Sequence, residues 1–404
     1  MKRIIVIGAG AAGMMAAGAA AVGGAKVCIL EKNSAPGKKL LLTGGGRCNI
    51  TNIDSAAGHM AKTLRNPRFL HSALRAFGPE DTLDFFRAIG IETKVGGGGR
   101  VYPVSEDAED VVATLHRHLR GLGVDFKFGR DAAQILRRDA GFEVAGLGAD
   151  AVIVATGGLA APHTGSDGAG YGFARAFGHN VTKLYPSLVP LVTYFDSAAL
   201  MGLSVNAALT AFAAEKAVFK GRGDMIFTHN GISGPVVLAA SAHLAARMHE
   251  KPRVVLDFAP EMNEKELSRV ILDIFGNNPN KGVKNALMSA GLLPEALWAA
   301  VLAAAGTDGA IKTHNVGKVA RKDICRCAKA FALDIKATAG FGPAVITCGG
   351  VDLGQINPAT MESKLVPQLY FAGEVLDVDA LTGGYNLQIA FATGYLAGRS
   401  AGGI

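Results

Sequence analysis

This sequence is poor in the features that mark several large classes of protein. Only 19% of its 404 residues are charged, against 49% hydrophobic. That balance excludes a disordered chain and fits a large buried core. The five cysteines, Cys28, Cys48, Cys325, Cys327 and Cys348, are odd in number and scattered. They exclude a disulfide framework and suit a reducing compartment. Cys325 and Cys327 are the one close pair, but two-residue spacing sends helical side chains to nearly opposite faces. Without a second pair they make no zinc site, and no metal is expected. No run of ~20 uninterrupted apolar residues is present, so no membrane span is expected. The opening "MKRIIVIGAGAAGMMAAGAAAVGGA" has the charged start and apolar body of a secretory signal. It is mostly Ala and Gly, however, and cleavage would remove the strongest motif in the chain. There is no internal repeat and no low-complexity tail. A cytoplasmic protein of two or three domains, without a stable protein partner, is expected.

What is present begins with charge. The net charge is +7 and is unevenly spread. Lys312, Lys318, Arg321, Lys322, Arg326, Lys329 and Lys336 face only Asp323 and Asp334, and a second basic run is Lys62, Arg65, Arg68 and Arg75. Both read first as solvated faces and second as contacts for RNA or another polyanion.

Residues 2–7, KRIIVI, read as a buried parallel strand. Gly8-Ala9-Gly10-Ala11-Ala12-Gly13 follows, then an Ala-rich helix to about Gly23 and a second strand from Lys26, closed by Glu31. A glycine motif with its strand, helix, second strand and acidic residue is a dinucleotide-binding unit. Gly8 serves the tight turn, Gly10 close approach to a pyrophosphate, and Gly13 helix–strand packing. Ala12 and Lys32 belong to the same site. Glu31 is placed to accept from a ribose diol, which favours FAD or NAD over NADP.

Two later strands return to the same sheet. "AVIVAT" (residues 151–156) ends in Gly157-Gly158 after Thr156, and "LYFAGEVLDVD" (residues 369–379) contains Gly373 and Glu374. "LTGGYNLQIAFATGYLAGR" then supplies Gly383, Gly384, Tyr385 and Asn386 and a final helix. A ligand held from three distant parts of the chain is long, which points to FAD. Glu374 reads as a ribityl or ribose partner. The helix beginning near Asn386 would aim its N–H groups at the flavin ring.

Between these parts lies "LLTGGGRCNITN", residues 41–52. Gly44, Gly45 and Gly46 would let backbone approach phosphate or ring atoms. Arg47 reads as a partner of the pyrophosphate or of a substrate anion. Asn49 and Asn52 either bond the flavin edge or brace the loop. Cys48 reads as a single proton donor or as packing. His229, in "FTHNGISGP", and Tyr385 are further catalytic candidates; a structural histidine is the ordinary alternative for His229. Tyr102, after Gly96–Gly99, is a second donor or a gate.

Taken in order, the glycine motif, "GGGRCNITN", "ATGG", "TGSDGAGYGFARAFGH", "FTHNGISGP", "GGVDL" and "LYFAGEVLDVDALTGGYNLQIAF" resemble the BaiN/YhiN-like flavoprotein family over almost the whole chain. The resemblance implies a Rossmann-type α/β FAD-binding domain, of the two-dinucleotide-binding flavoprotein type, interrupted by an inserted substrate domain. The expected divisions are residues 1–187 and 345–404 for FAD, 188–262 and 336–344 for a small β-barrel, and 263–335 for helices. Apolar stretches such as "LVTYF" and "RVVLDF" suit the barrel. "EKELSRVILDIF", "LPEALWAAVLAAA" and "VARKDICRCAKAFALDI" have helical periodicity.

No second strand–GxGxxG–helix unit exists, so a reducing NADH or NADPH would dock transiently. No C-x₄-C dithiol follows the first unit. Reduction of a conjugated C=C by flavin is the leading expectation. Reduction of a uridine C5=C6 bond in ribosomal RNA, an O₂-dependent amine oxidase and a non-catalytic FAD-binding module are the alternatives. The partner is thus a small molecule or an RNA. Some members of the resembling family are associated with each of the first three activities.

Overall fold

The computed structural model describes residues 1–403. They form two compact units, one of residues 1–187 with the segment from Phe341 to the carboxyl end, the other Leu188–Gly340. Residues 341–344 therefore fall with the first unit, not with the barrel as expected.

The first unit is built on a five-stranded parallel sheet in the order Leu369–Phe371, Ala151–Val154, Arg3–Ile7, Lys26–Glu31, Asp125–Phe128. Ile4 to Ile7 and Ala151 to Val154 are all buried. Strands covered on both faces carry such unbroken apolar runs. The chain passes from Arg3–Ile7 to one side and later returns on the other. The order thus reverses at the first strand, and open sheets of this kind bind ligands at that reversal. Ile7 runs directly into Gly8.

The first helix, Ala11–Val22, packs on the last, Tyr385–Gly402. Glycines allow the contact. A Cβ added at Gly394 or Gly398 would lie 2.3 or 2.1 Å from the carbonyl oxygens of Ala12 and Ala16. The last helix is therefore packed directly on the first. Residues 41–52 lead into a small antiparallel sheet of Thr51–Asn52, Arg100–Pro103 and Thr93–Val95.

The second unit is a closed six-stranded barrel, completed where Phe331–Thr338 pairs with Leu191–Thr193, with five α-helices that include Glu264–Gly276 and Lys318–Lys329. The helix from Glu264 starts with a reciprocal cap, Asn263 and Glu266 each bonding the other's backbone N–H. One sequence expectation fails here. The helical pattern was extended to Ile335, but the helix ends at Lys329 and Phe331–Thr338 is a barrel strand. Phe331, Leu333 and Ile335 are buried while Ala332, Asp334 and Lys336 are exposed. This period of two was masked by the strong helical period just before it. Cys325 is buried and Cys327 half-buried on that helix, and no cluster of metal-ligating side chains occurs among the described residues. No described helix is long and apolar enough to cross a membrane.

Candidate active site

A cleft of about 1290 Å³, counting the part open to solvent, lies in the first unit at the carboxyl ends of the central strands. Of the residues expected at the cofactor, Gly8, Gly10, Ala12, Glu31, Lys32, Thr156, Gly157, Gly373, Glu374 and Asn386 line it.

The three motif glycines have separable reasons. At Gly8, φ is +102° and a Cβ would sit 2.5 Å from the Ala155 oxygen. At Gly13 a Cβ would be 1.9 Å from the Gly8 oxygen. Gly10 is different. Its φ is −82°, open to any residue, and a Cβ there would meet no protein atom within 4 Å. The fold does not require glycine at this position, whereas a ligand in the cleft would.

Glu31 is buried. Its Oε2 accepts from the Ala9 N–H (2.8 Å), and its Oε1 accepts from the Asn33 N–H (2.8 Å) and Asn33 Nδ2 (2.7 Å). A carboxylate has about four acceptor positions, so roughly one remains for a ribose hydroxyl. Two helix amino termini meet the cleft. Ala11 and Ala12 open the first helix, and Asn386 and Leu387 lie in the first turn of the last. Neither helix has a side-chain cap, so their leading N–H groups are available to anionic or carbonyl oxygens. The donor set, the open space at Gly10 and the spare acceptor on Glu31 fit a dinucleotide.

Some expected contacts are already made within the protein. Glu374 is ion-paired to Lys39, and its Oε1 accepts from both the N–H and the hydroxyl of Thr347 at 2.9 Å. Asn386 clasps Ala380, accepting its N–H (2.9 Å) and donating to its carbonyl (2.8 Å). Lys32 pairs with Asp167 at 2.7 Å. Lys39, Asn33, Thr347 and Arg130 were not foreseen. Lys39 sits in "GKKLLL", just before the glycine run, which was the available signal. Thr347 had none, because it reaches Glu374 only through tertiary folding.

The remaining expected residues do not line the cleft. Gly13 is packed beneath it. Gly158 is small because a Cβ would lie 2.4 Å from Thr347 Oγ1, a protein contact. Gly44, Gly45 and Gly46 all take positive φ, and the Gly46 and Cys48 N–H groups return to the Thr43 carbonyl. They shape a tight turn; only Thr43 and Leu40 of this region reach the cleft. Arg47 is exposed, bonds the Gly44 carbonyl and lies 4.6 Å from the centre of the Tyr102 ring. It holds the loop rather than a phosphate. Asn49 is buried with an unpartnered Oδ1, while Asn52 braces, donating to the Gly98 and Gly383 carbonyls.

Cys48 is fully buried within the core cluster, at φ 57°. Burial pushes its thiol up to about 12, against a smaller opposing effect of the Thr43 hydrogen bond. A thiol so raised is neither a nucleophile nor a ready proton donor. Native protein is therefore expected to leave Cys48 unmodified by iodoacetamide at pH 8, while unfolded protein reacts, and Cys48→Ser is expected to bind FAD like the parent. Peptide mapping after alkylation checks the first point; rapid native labelling would overturn it.

Tyr385 is buried and its hydroxyl donates to Asp54 Oδ2 at 2.7 Å. Burial, and then Asp54, hold the phenol well above its ordinary range. The His59 ring meets Tyr385 edge-on at 5.0 Å, and burial depresses His59, keeping it neutral. Gly383 and Gly384 form the turn before this tyrosine, with φ of 130° and 97°. His229 belongs to the second unit, exposed on the turn between Lys216–Thr228 and Gly231–Ser233.

A parallel sheet with one dinucleotide cleft, shared by both ends of the chain, is the cofactor domain of an FAD-dependent oxidoreductase. Residues 2–400 match the HI0933-like protein Rossmann domain family, and the chain belongs to it. It is 37% identical to the 3-dehydro-bile acid delta(4,6)-reductase of Clostridium scindens, over 99% of each chain. It is 31% identical to the ribosomal RNA dihydrouridine synthase of Escherichia coli, over 97% of this chain and 96% of the relative. Among solved structures, the 3-ketosteroid delta1-dehydrogenase of Sterolibacterium denitrificans shares the fold over the whole of both chains, with a TM-score of 0.52 and 13% identity.

Proposed function

We propose that this enzyme reduces a conjugated C=C bond of a small organic molecule and is itself re-reduced by transiently bound NADH or NADPH. The observation that carries this reading is the end-to-end likeness to a 3-dehydro-bile acid delta(4,6)-reductase. The single dinucleotide cleft agrees with a donor that visits and leaves. When bound and reduced, a flavin supplies hydride from N5 to an electrophilic carbon. The chain's own part is to bind and to stabilise charge. The first turn of the last helix presents N–H donors at Asn386 and Leu387, which suit an oxygen gaining negative charge. Cys48, buried and protonated, contributes packing.

Reduction of a uridine in ribosomal RNA is the second reading. It is favoured by a 31% identical relative and by Lys312, Lys318 and Lys322, exposed and without an ion pair among the described residues. The two basic runs are thinner than they read. Arg65 is drawn to Asp377, Lys329 to Asp257 and Arg326 to Asp323.

Anaerobic titration separates the readings. The expected result is bleaching of the flavin by NADH or NADPH, then re-oxidation by a cyclic enone in under a second and by rRNA not at all. Re-oxidation by rRNA alone, with binding that weakens steeply as salt rises, would establish the second reading. Rapid re-oxidation by O₂ with an amine substrate would instead make the enzyme an oxidase.

A further inference from the structure

One buried acid beside the cleft has no role in the site as described. Asp379 is 1% exposed. Its Oδ2 accepts from the Ser187 hydroxyl at 3.2 Å, and its Oδ1 has no hydrogen-bond partner. The segment is held rigidly in place. Leu64 donates its N–H to the Asp379 carbonyl, Asn66 Nδ2 donates to the Asp377 carbonyl, and Leu381 donates to the Lys62 carbonyl. The neighbours on either side belong to the cofactor site, for Val378 lines the cleft and Ala380 is clasped by Asn386.

The charges around it do not balance. Three carboxyl groups gather here, Glu374, Asp377 and Asp379, with two cations, Lys39 and Arg65. Lys39 pairs with Glu374. Arg65 approaches Asp377 at 3.8 Å and donates to Cys348 Sγ at 3.0 Å. Asp379 is left with a neutral hydroxyl. An unpaired buried carboxylate is costly and normally takes up a proton.

We propose that Asp379 carries a proton in the resting protein, and that gain or loss of this proton adjusts the reduction potential of the bound flavin. The proposal rests on the assignment of the cleft to FAD. Burial, opposed by Arg65 and the Ser187 hydrogen bond and reinforced by Asp377 and Glu374, raises the Asp379 carboxyl to about 7. Cys348, itself raised by burial to about 12, stays neutral. Asp377 is also raised, chiefly by burial, with Arg65 opposing. Below neutrality Asp379 is neutral. Above it, one negative charge appears close to the cleft and disfavours adding electrons to the flavin.

The folding linkage has a definite sign. An acid whose native pKa lies above its unfolded value stabilises fully only below the unfolded value, and that contribution is lost as pH rises through the native one. For Asp379 this window runs from about 4 to about 7.

The test uses Asp379→Asn, with thermal melts of apo- and FAD-loaded protein from pH 5 to pH 9 and dye-equilibrated potentials of the holoenzyme. The expected melting difference, variant minus parent, rises steadily from pH 5 to about pH 7 and is level above pH 8, with or without FAD. The expected potentials coincide at pH 6 and separate by pH 8, the parent being lower. A melting difference flat with pH, or potentials that run parallel, overturns the proposal. If the variant does not fold, Ser187→Ala serves instead. Losing the hydroxyl moves the parent's break in potential to higher pH, and no break in either protein is the negative result. A parent that fails to bind FAD would defeat the cleft assignment itself, which a flat apo-protein melting difference would not.

Discussion

Gly10→Val is expected to give a folded, colourless protein. The position has both the backbone conformation and the room for a side chain. Its φ is −82° and its ψ −174°, within the region that valine prefers, and no protein atom lies within 4 Å of a Cβ. What the side chain would enter is the cleft, where the motif brings backbone up to a pyrophosphate. Forcing extra carbons into an occupied site costs roughly 1–3 kcal/mol, or about tenfold to a hundredfold in flavin affinity. Far-ultraviolet circular dichroism and melting of the apo-protein are expected to match the parent, while flavin released on denaturation falls from near-stoichiometric to a trace. Flavin content equal to the parent's would remove Gly10 from the cofactor site. The neighbouring Gly13→Ala is the contrast. A Cβ 1.9 Å from the Gly8 oxygen must displace backbone, so that change is expected to lower stability with or without flavin.

Gly384→Ala is expected to be among the most destabilising single-methyl changes in the chain. The residue takes φ 97°, and an added Cβ would lie 2.3 Å from the carbonyl carbon and oxygen of Thr51. Leaving the allowed region costs about 1–2 kcal/mol, and overpacking adds about 1–3, so a loss of about 3 kcal/mol or more follows. The damage should spread, because this is where the two motif-rich ends of the first unit lock together. Thr51 and Thr82 both donate to Gln388 Oε1, at 2.7 and 2.9 Å, and Gln388 Nε2 donates to the Phe77 carbonyl. Chemical denaturation of the apo-protein measures the effect. A midpoint within experimental error of the parent's would show that the Thr51 contact is soft.

The cofactor domain was legible because its signals are local. A turn at positive φ, a close helix–strand approach and a strand end carrying an acid each leave their mark within a few residues, as Gly8, Gly13 and Glu31 do. The stretch "TGGGRCNITN" was legible as special but misassigned in purpose. A run of glycines before polar residues marks backbone that must turn tightly, and the residues near it do not say whether a ligand or another part of the chain fills the space. Here the other part is the turn at Gly383–Gly384, which meets Thr51 and Asn52. Arg47 lies over Tyr102, and Cys48 is closed into the core.

By itself the sequence determined a parallel-sheet dinucleotide domain, an inserted unit that begins near residue 188, and the identities of Gly8, Gly10, Gly13 and Glu31 in the cofactor turn. The tertiary structure alone decided that Phe331–Thr338 closes a barrel, that Glu374 is held by Lys39 and Thr347, and that Asp379 is enclosed with one unsatisfied oxygen. The difference is physical. Backbone conformation and hydrophobic period are properties of neighbouring residues. Barrel closure, charge balance and burial depend on groups hundreds of residues apart in the chain, and these meet only once it has folded.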